Sequence, residues 1–211
     1  MNNKKLAIIG AGSLGIMTLD VVLKEGVYSV KDIVFIDDGK DKNEMIYGVT
    51  VIGDSNIIAD LDTNIYDFVI AVADNNARKK IAEMYDIPYV TVIHPHASVS
   101  EFAKIGIGNI ILPNVTIDPE AIIHNHVILN KNTSIGHNVE MEDFSQASPG
   151  CQLGGLIGEC TFLGLGATLL PNIKIGRQSI VGAGAVVTKD LPDYCTAIGT
   201  PAKPVKFHGG K

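Results

Sequence analysis

The stretch "ILPNVTIDPEAIIHNHVILNKNTSIGHNVEM" (Ile111–Met141) puts an apolar residue at every sixth position: Ile111, Ile117, Ile123, Leu129, Ile135 and Met141. A period of six fits neither the 3.6-residue turn of a helix nor the two-residue alternation of a long strand. It is the mark of a hexapeptide β-helix. Each hexad gives one short flat strand, three hexads close a triangular coil, and the aliphatic side chain fills the prism. Followed outward, the series begins at Ile93, Val99 and Ile105 and continues past Met141 to Ala147 and Leu153. It then slips by two, resumes at Ile157 and runs through Leu163, Leu169, Ile175 and Val181 to Val187. These seventeen positions predict nearly six coils. Small or β-branched residues such as Val115, Ala121, Thr133 and Ala167 recur four places after them, and glycine often follows directly, as at Gly106, Gly136 and Gly158. Such residues let the chain turn a corner. Each coil buries its face only against its neighbours, so many coils are required. The slip at Gly154–Ile157 predicts an irregular turn near a site, and "GTPAKPVKF" (Gly199–Phe207) predicts a terminal cap.

The chain before His94–Pro95 reads differently. The residue before a proline is pushed to an extended conformation, which suits a junction. The expected units are therefore residues 1–92 and 93–211. In the first, "KLAIIG", "DIVFID", "GVTVIG", "YDFVIAVA" and "YVTVI" read as strands. Leu14–Lys24, a short segment after Asp54 and "NNARKKIAEMY" read as helices, the last with Asn75 or Asn76 near its cap. This alternation predicts an α/β, Rossmann-like parallel sheet whose ligand sits at the carboxyl ends of its strands. "LAIIGAGSLG" (Leu6–Gly15) ends the first strand in a Gly-x-Gly-x-x-Gly turn, where a helix N-terminus favours a diphosphate. Asp37 and Asp38 end the second strand, where a ribose hydroxyl is recognised. The unit offers only one mononucleotide-binding half, which argues against a full NAD site, and an NAD oxidoreductase leaves the β-helix unexplained.

Composition narrows the partners. The 211 residues are 46% hydrophobic and 19% charged, with a net charge of −6. No basic stripe points to nucleic acid, and no apolar run of membrane-spanning length points to a bilayer. "MNNKKLAIIGAG" breaks into a glycine turn before a signal peptide could form, so a cytoplasmic protein is expected. Cys151, Cys160 and Cys195 are odd in number and lack metal spacing, and read as small buried hydrophobes in a reducing compartment.

Taken together, "IGAGSLG", "FIDDGK", "AVADNNARKKI", "VIHPHASVS", "ILNKNTSIGHN", "GAGAVVTKD" and "GTPAK" resemble the bacterial sugar acetyltransferases of the PglD/NeuD type. The resemblance spans the whole chain. It implies a left-handed β-helix, a homotrimer, and transfer of acetyl from acetyl-CoA to the amine of a nucleotide-linked sugar, with UDP as the carrier and no metal. It further implies that Gly12, Ser13 and Leu14 line the nucleotide-sugar turn, that Asp37 and Asp38 meet uridine, and that Asp74 lies beside the diphosphate. His137 is implied as general base, a role suited to an imidazole, and Asn130 as a substrate-positioning residue. The Gly155 backbone N–H is implied as the oxyanion donor, and Gln146, Leu165 and Ala183 as lining the acetyl-CoA channel between subunits. Three departures stand out. Gly12-Ser13-Leu14 replaces a frequent Ser-Gly-His, Asp74 replaces a common glycine, and Asn138 replaces the carboxylate that normally follows the histidine. An amide oxygen on the Nδ1 proton would orient the ring without adding charge, with Glu140 or Glu142 as possible sources of it. The alternatives are O-acetylation of a sialic acid, and a nucleotide-sugar-binding protein without activity. His124 and His126 read as a surface pair rather than a zinc site, and His94 and His96 as structural.

Overall fold

In a computed structural model of the chain, residues 4–209 are described. Met1–Asn3, which open the stretch read for a leader, lie outside them. The first unit is a five-stranded sheet in the order β3-β4-β2-β1-β5. Its strands are β1 (Lys5–Ile9), β2 (Ile33–Ile36), β3 (Met45–Ile46), β4 (Val49–Gly53) and β5 (Tyr66–Ile70). All neighbours pair in parallel except the β3–β4 hairpin. Helix α1 (Ser13–Glu25) follows the glycine turn and α2 (Asn75–Met84) follows β5. The cap of α2 is Asp74, one residue before the expected asparagines, because its carboxylate accepts the Ala77 N–H at 2.7 Å.

"YVTVI" does not form one more strand of this sheet. Tyr89 makes a single parallel bridge to Phe68, and Val92–Ile93 pairs instead with Ile110–Ile111. The solenoid therefore starts at Val92. From there every expected hexad is a two-residue strand whose second residue is the member of the six-residue series. The strands stack in parallel on three faces of a prism. The first face runs from Val92–Ile93 through Ile180–Val181 and is extended by the hairpin Cys195–Gly199/Ala202–Phe207, the expected cap. The second runs from Ser98–Val99 to Val186–Val187 in six strands, and the third from Lys104–Ile105 to Lys174–Ile175 in five. The inward residues form one continuous core that includes Ile123, Ile135, Met141, Ile157 and Ile175.

The corners have a period of their own. Residues with positive φ recur every six positions. Gly108, His126, Phe144, Cys160, Gln178 and Tyr194 define a first vertex, and Asn114, Asn132, Gly150, Gly166 and Gly184 a second. Glu120, Asn138 and Asn172 define a third. Asparagine and glycine dominate because they tolerate this left-handed conformation. The first face lies between the first and second vertices, so the third vertex is opposite it.

The α/β unit docks on the first face. Ile110, Leu112 and Ile128 belong to the same core cluster as Leu6, Leu14, Val22 and Phe35. His126, on the first vertex, is buried beneath this unit, its ring stacked on Phe144 at 5.1 Å and edge-on to Tyr89 at 4.6 Å. Burial, and then the Arg78 charge, push its pKa down to about 4. A histidine held neutral in the fold stabilises it fully above its unfolded value of about 6.5, and that contribution is lost as pH falls from there through the folded value. His126→Asn, a residue found at four other corners, is therefore expected to flatten the loss of stability between pH 7 and pH 4. Denaturant unfolding at several pH values checks this, and a slope identical to wild type would contradict it.

Candidate active site

A groove of about 670 Å³ wraps the third vertex. It is lined by His137 and Asn138, by Glu140 and Gln152 of the flanking faces, and by Gly154 and Gly155. Its depth comes from the two-residue slip. Gly154 and Gly155 alone link Gln152–Leu153 to Leu156–Ile157, so this coil cuts its corner short and leaves a notch above His137. Only glycine fits there: a Cβ on Gly155 would lie 2.0 Å from the Ile173 carbonyl oxygen. Gly155 accepts from the Glu140 N–H at 3.3 Å, while no acceptor among the described residues meets its own N–H. A hydrogen-bond donor thus remains available in the wall of the groove that holds the imidazole.

Asn138 Nδ2 lies 2.8 Å from His137 Nδ1. In that orientation the amide donates, and the neutral ring carries its proton on Nε2. Turned over, the amide would accept from Nδ1–H through Oδ1 and leave Nε2 free as a base. The expected contact is present with nitrogen where oxygen was expected, a half-turn of the amide away. Glu140, in the same groove, is held by His124 Nε2 at 2.8 Å.

The other expected residues lie elsewhere on the prism. Leu165 and Ala183 are exposed beside Gly166 and Gly184 on the second vertex, and Asn130 lies next to Asn132 on that vertex, its Oδ1 accepting the Lys131 N–H at 2.9 Å. Gln146 is buried on the first face, its Oε1 without a partner. One chain therefore does not gather the implied acetyl-CoA residues around His137.

A second crevice, about 410 Å³, opens at the carboxyl ends of the α/β strands, where the alternation placed it. Gly10, Asp37, Asp38, Val72, Ala77 and Lys80 line it. Gly10 is required there, with φ at +105° and a would-be Cβ 2.7 Å from the Ala71 oxygen, whereas Gly12 and Ser13 are exposed. Leu14 packs in the core of the α/β unit, and Asp74, which is exposed, caps α2. Asp37 accepts the Ala11 N–H at 2.7 Å and the Gly39 N–H at 2.9 Å, bracing the glycine turn, and Asp38 accepts the Ser55 N–H at 2.7 Å. His94 is structural: it is buried and accepts the His96 N–H through Nδ1 at 3.0 Å.

Comparison with known proteins gives this geometry a family. The PglD N-terminal domain model matches residues 5–85. GDP-perosamine N-acetyltransferase of Escherichia coli O157:H7 is 31% identical over 94% of this chain and 95% of its own length. The chain belongs to the PglD-type, hexapeptide-repeat sugar acetyltransferases. Two solved members of this family carry ligands. The acetyltransferase domain of PglB from Neisseria gonorrhoeae FA1090, in complex with acetyl coenzyme A, is 33% identical with a TM-score of 0.91, covering 97% of this chain and 100% of that one. A histidine-to-asparagine mutant of perosamine N-acetyltransferase from Caulobacter crescentus, in complex with CoA and GDP-perosamine, is 30% identical with a TM-score of 0.88, covering 96% and 97%.

Sequence reasoning passed over Arg78, which sits in "AVADNNARKKI" but is fully buried. Its spacing from Asp74 and Asn75 was the available signal. For the groove itself, Gly155→Ala is expected to cost about 1–3 kcal/mol of stability through overpacking. A lowered denaturation midpoint checks this, and an unchanged midpoint would contradict the tight notch.

Proposed function

We propose that this acetyltransferase moves the acetyl group of acetyl-CoA to the amine of a sugar carried on a nucleoside diphosphate. The observation that carries the reading is the third-vertex groove, where an imidazole and an unused backbone N–H share one cavity. His137 Nε2 takes a proton from the amine as its nitrogen attacks the thioester carbonyl. The Gly155 N–H donates to the oxygen as it gains negative charge. When the C–S bond breaks, the imidazolium returns its proton to the departing thiolate, and N-acetyl sugar and free thiol result. Asn138 serves with its amide oxygen towards Nδ1, which fixes the tautomer but adds no negative charge.

The α/β crevice takes the nucleotide, with Gly12 and Ser13 at the diphosphate and Asp37 and Asp38 beside the nucleoside. Uridine is the carrier that the sequence reading favours. A guanosine carrier is the second reading, favoured by the relatives that act on or bind GDP-perosamine. A homotrimer is the assembly that suits this placement. His137 stands on the vertex opposite the face that carries the α/β unit, while Leu165, Ala183 and Asn130 lie along the second vertex. Packing the second vertex of one subunit against the third vertex of its neighbour would bring the two sets together, and the pantetheine arm would run along that seam.

A thiol-release assay with acetyl-CoA and matched UDP- and GDP-amino sugars tests the reading. His137→Ala is expected to lower kcat by about 10²–10⁴-fold while nucleotide-sugar binding persists. Full activity in that variant would remove the base, and no thiol release with any amino sugar would favour a binding protein. Asn138→Asp restores a charge beside the imidazolium and is expected to raise kcat at neutral pH. An equal or lower kcat would show that the amide is not what limits the base.

A further inference from the structure

Docking the α/β unit on the first vertex creates a specific polar problem. The carbonyls of the positive-φ residues take no hydrogen bond from the coil-to-coil ladder among the described residues. At an exposed corner water meets them. His126, Phe144 and Cys160 lie on consecutive coils of the buried corner, and their carbonyls need partners from the docked unit.

Two side chains of α2 supply them. Arg78 Nε donates to the His126 oxygen at 2.9 Å and Nη2 to the Phe144 oxygen at 2.7 Å. Asn75 Nδ2 donates to the Cys160 oxygen at 3.0 Å, and Asn75 Oδ1 accepts from Arg78 Nη2 at 2.9 Å. One linked pair thus caps three coils. Arg78 also reaches back: its Nη1 donates to the Val72 oxygen at 2.9 Å. Val72 and Ala77 both line the nucleotide crevice, and Asp74, between them, caps the same helix turn. Lys79 adds an ion pair to Glu159 at 2.5 Å on the same seam.

We propose that Asn75 and Arg78 are positioning residues that fix the wall of the nucleotide crevice against the solenoid, and so set how the nucleotide-linked substrate is held. The pair touches neither the imidazole nor the third-vertex groove. Its contribution falls on one substrate and leaves the other alone. A lysine at position 78 keeps the charge but cannot reproduce the planar fork that spans three carbonyls.

The inference rests on the proposed nucleotide-sugar acetyltransferase activity for its kinetic readout. Asn75→Ala and Arg78→Lys in the full chain are expected to raise the KM for the nucleotide amino sugar about tenfold or more. The KM for acetyl-CoA and kcat are expected to stay within about twofold. A lowered melting temperature with both KM values unchanged, or equal losses for both substrates, would overturn the positioning role. If either variant does not fold, or if the wild type acetylates no nucleotide sugar, hydrogen exchange on the wild-type chain decides. Amides of α2 and of the solenoid corner around His126, Phe144 and Cys160 are then expected to open as one unit with shared protection. Opening of α2 well before that corner would overturn the clamp without bearing on the chemistry at His137.

Discussion

A coil made of two-residue strands has no interior of its own, and everything else in this protein follows from how that interior is closed. Ile135 or Met141 is dry only because a neighbouring coil lies above and below it. The chain must then turn three times per coil, and most of those turns carry a residue with positive φ. That requirement puts asparagine and glycine on the vertices and leaves the residue before them pointing outward. His137 occupies such a place, immediately before Asn138. Asn138 thus satisfies a backbone demand of the corner as well as contacting the ring.

The same constraint explains why the groove sits where it does. Shortening one coil by two residues is possible only if the connecting backbone can pass against the next coil. Gly155, with the Ile173 oxygen where its Cβ would be, meets that condition. In the neighbouring coils the equivalent N–H, of Ala121 or Val139, pairs within its own corner; the shortened corner has no room for that turn bond, so the Gly155 N–H is left without it in the groove that His137 lines. The catalytic potential of the notch is a by-product of an interrupted repeat. The first face, by contrast, is sealed by the α/β unit, and its buried corner is satisfied by Asn75 and Arg78.

Much of this was legible in the sequence. The six-residue series named the inward residue of every strand, because a periodic core leaves a periodic trace. The slip marked the groove, and the alternation of the first ninety residues marked the crevice at the strand ends. Where reading failed, the deciding partner was remote or ambiguous. Asp74 and Asn75 are both good caps, and only the geometry of α2 separates them. "YVTVI" has strand composition throughout, yet its last two residues pair with the solenoid. Arg78 read as one cation in a charged helix, since two of its carbonyl partners, His126 and Phe144, come from a vertex that no local pattern links to it.

The central claim is that the chemistry is assembled at a seam, with the base on the third vertex of one subunit and the acetyl-CoA wall on the second vertex of another. Subunit mixing tests it most directly. His137→Ala and a second variant that blocks the wall, Leu165→Arg, would each be inactive alone. Unfolded together and refolded as a mixture, they are predicted to recover activity in about a quarter of the sites, those that draw an intact vertex from each variant. No recovery from a mixture shown to contain hybrid oligomers would contradict the shared site.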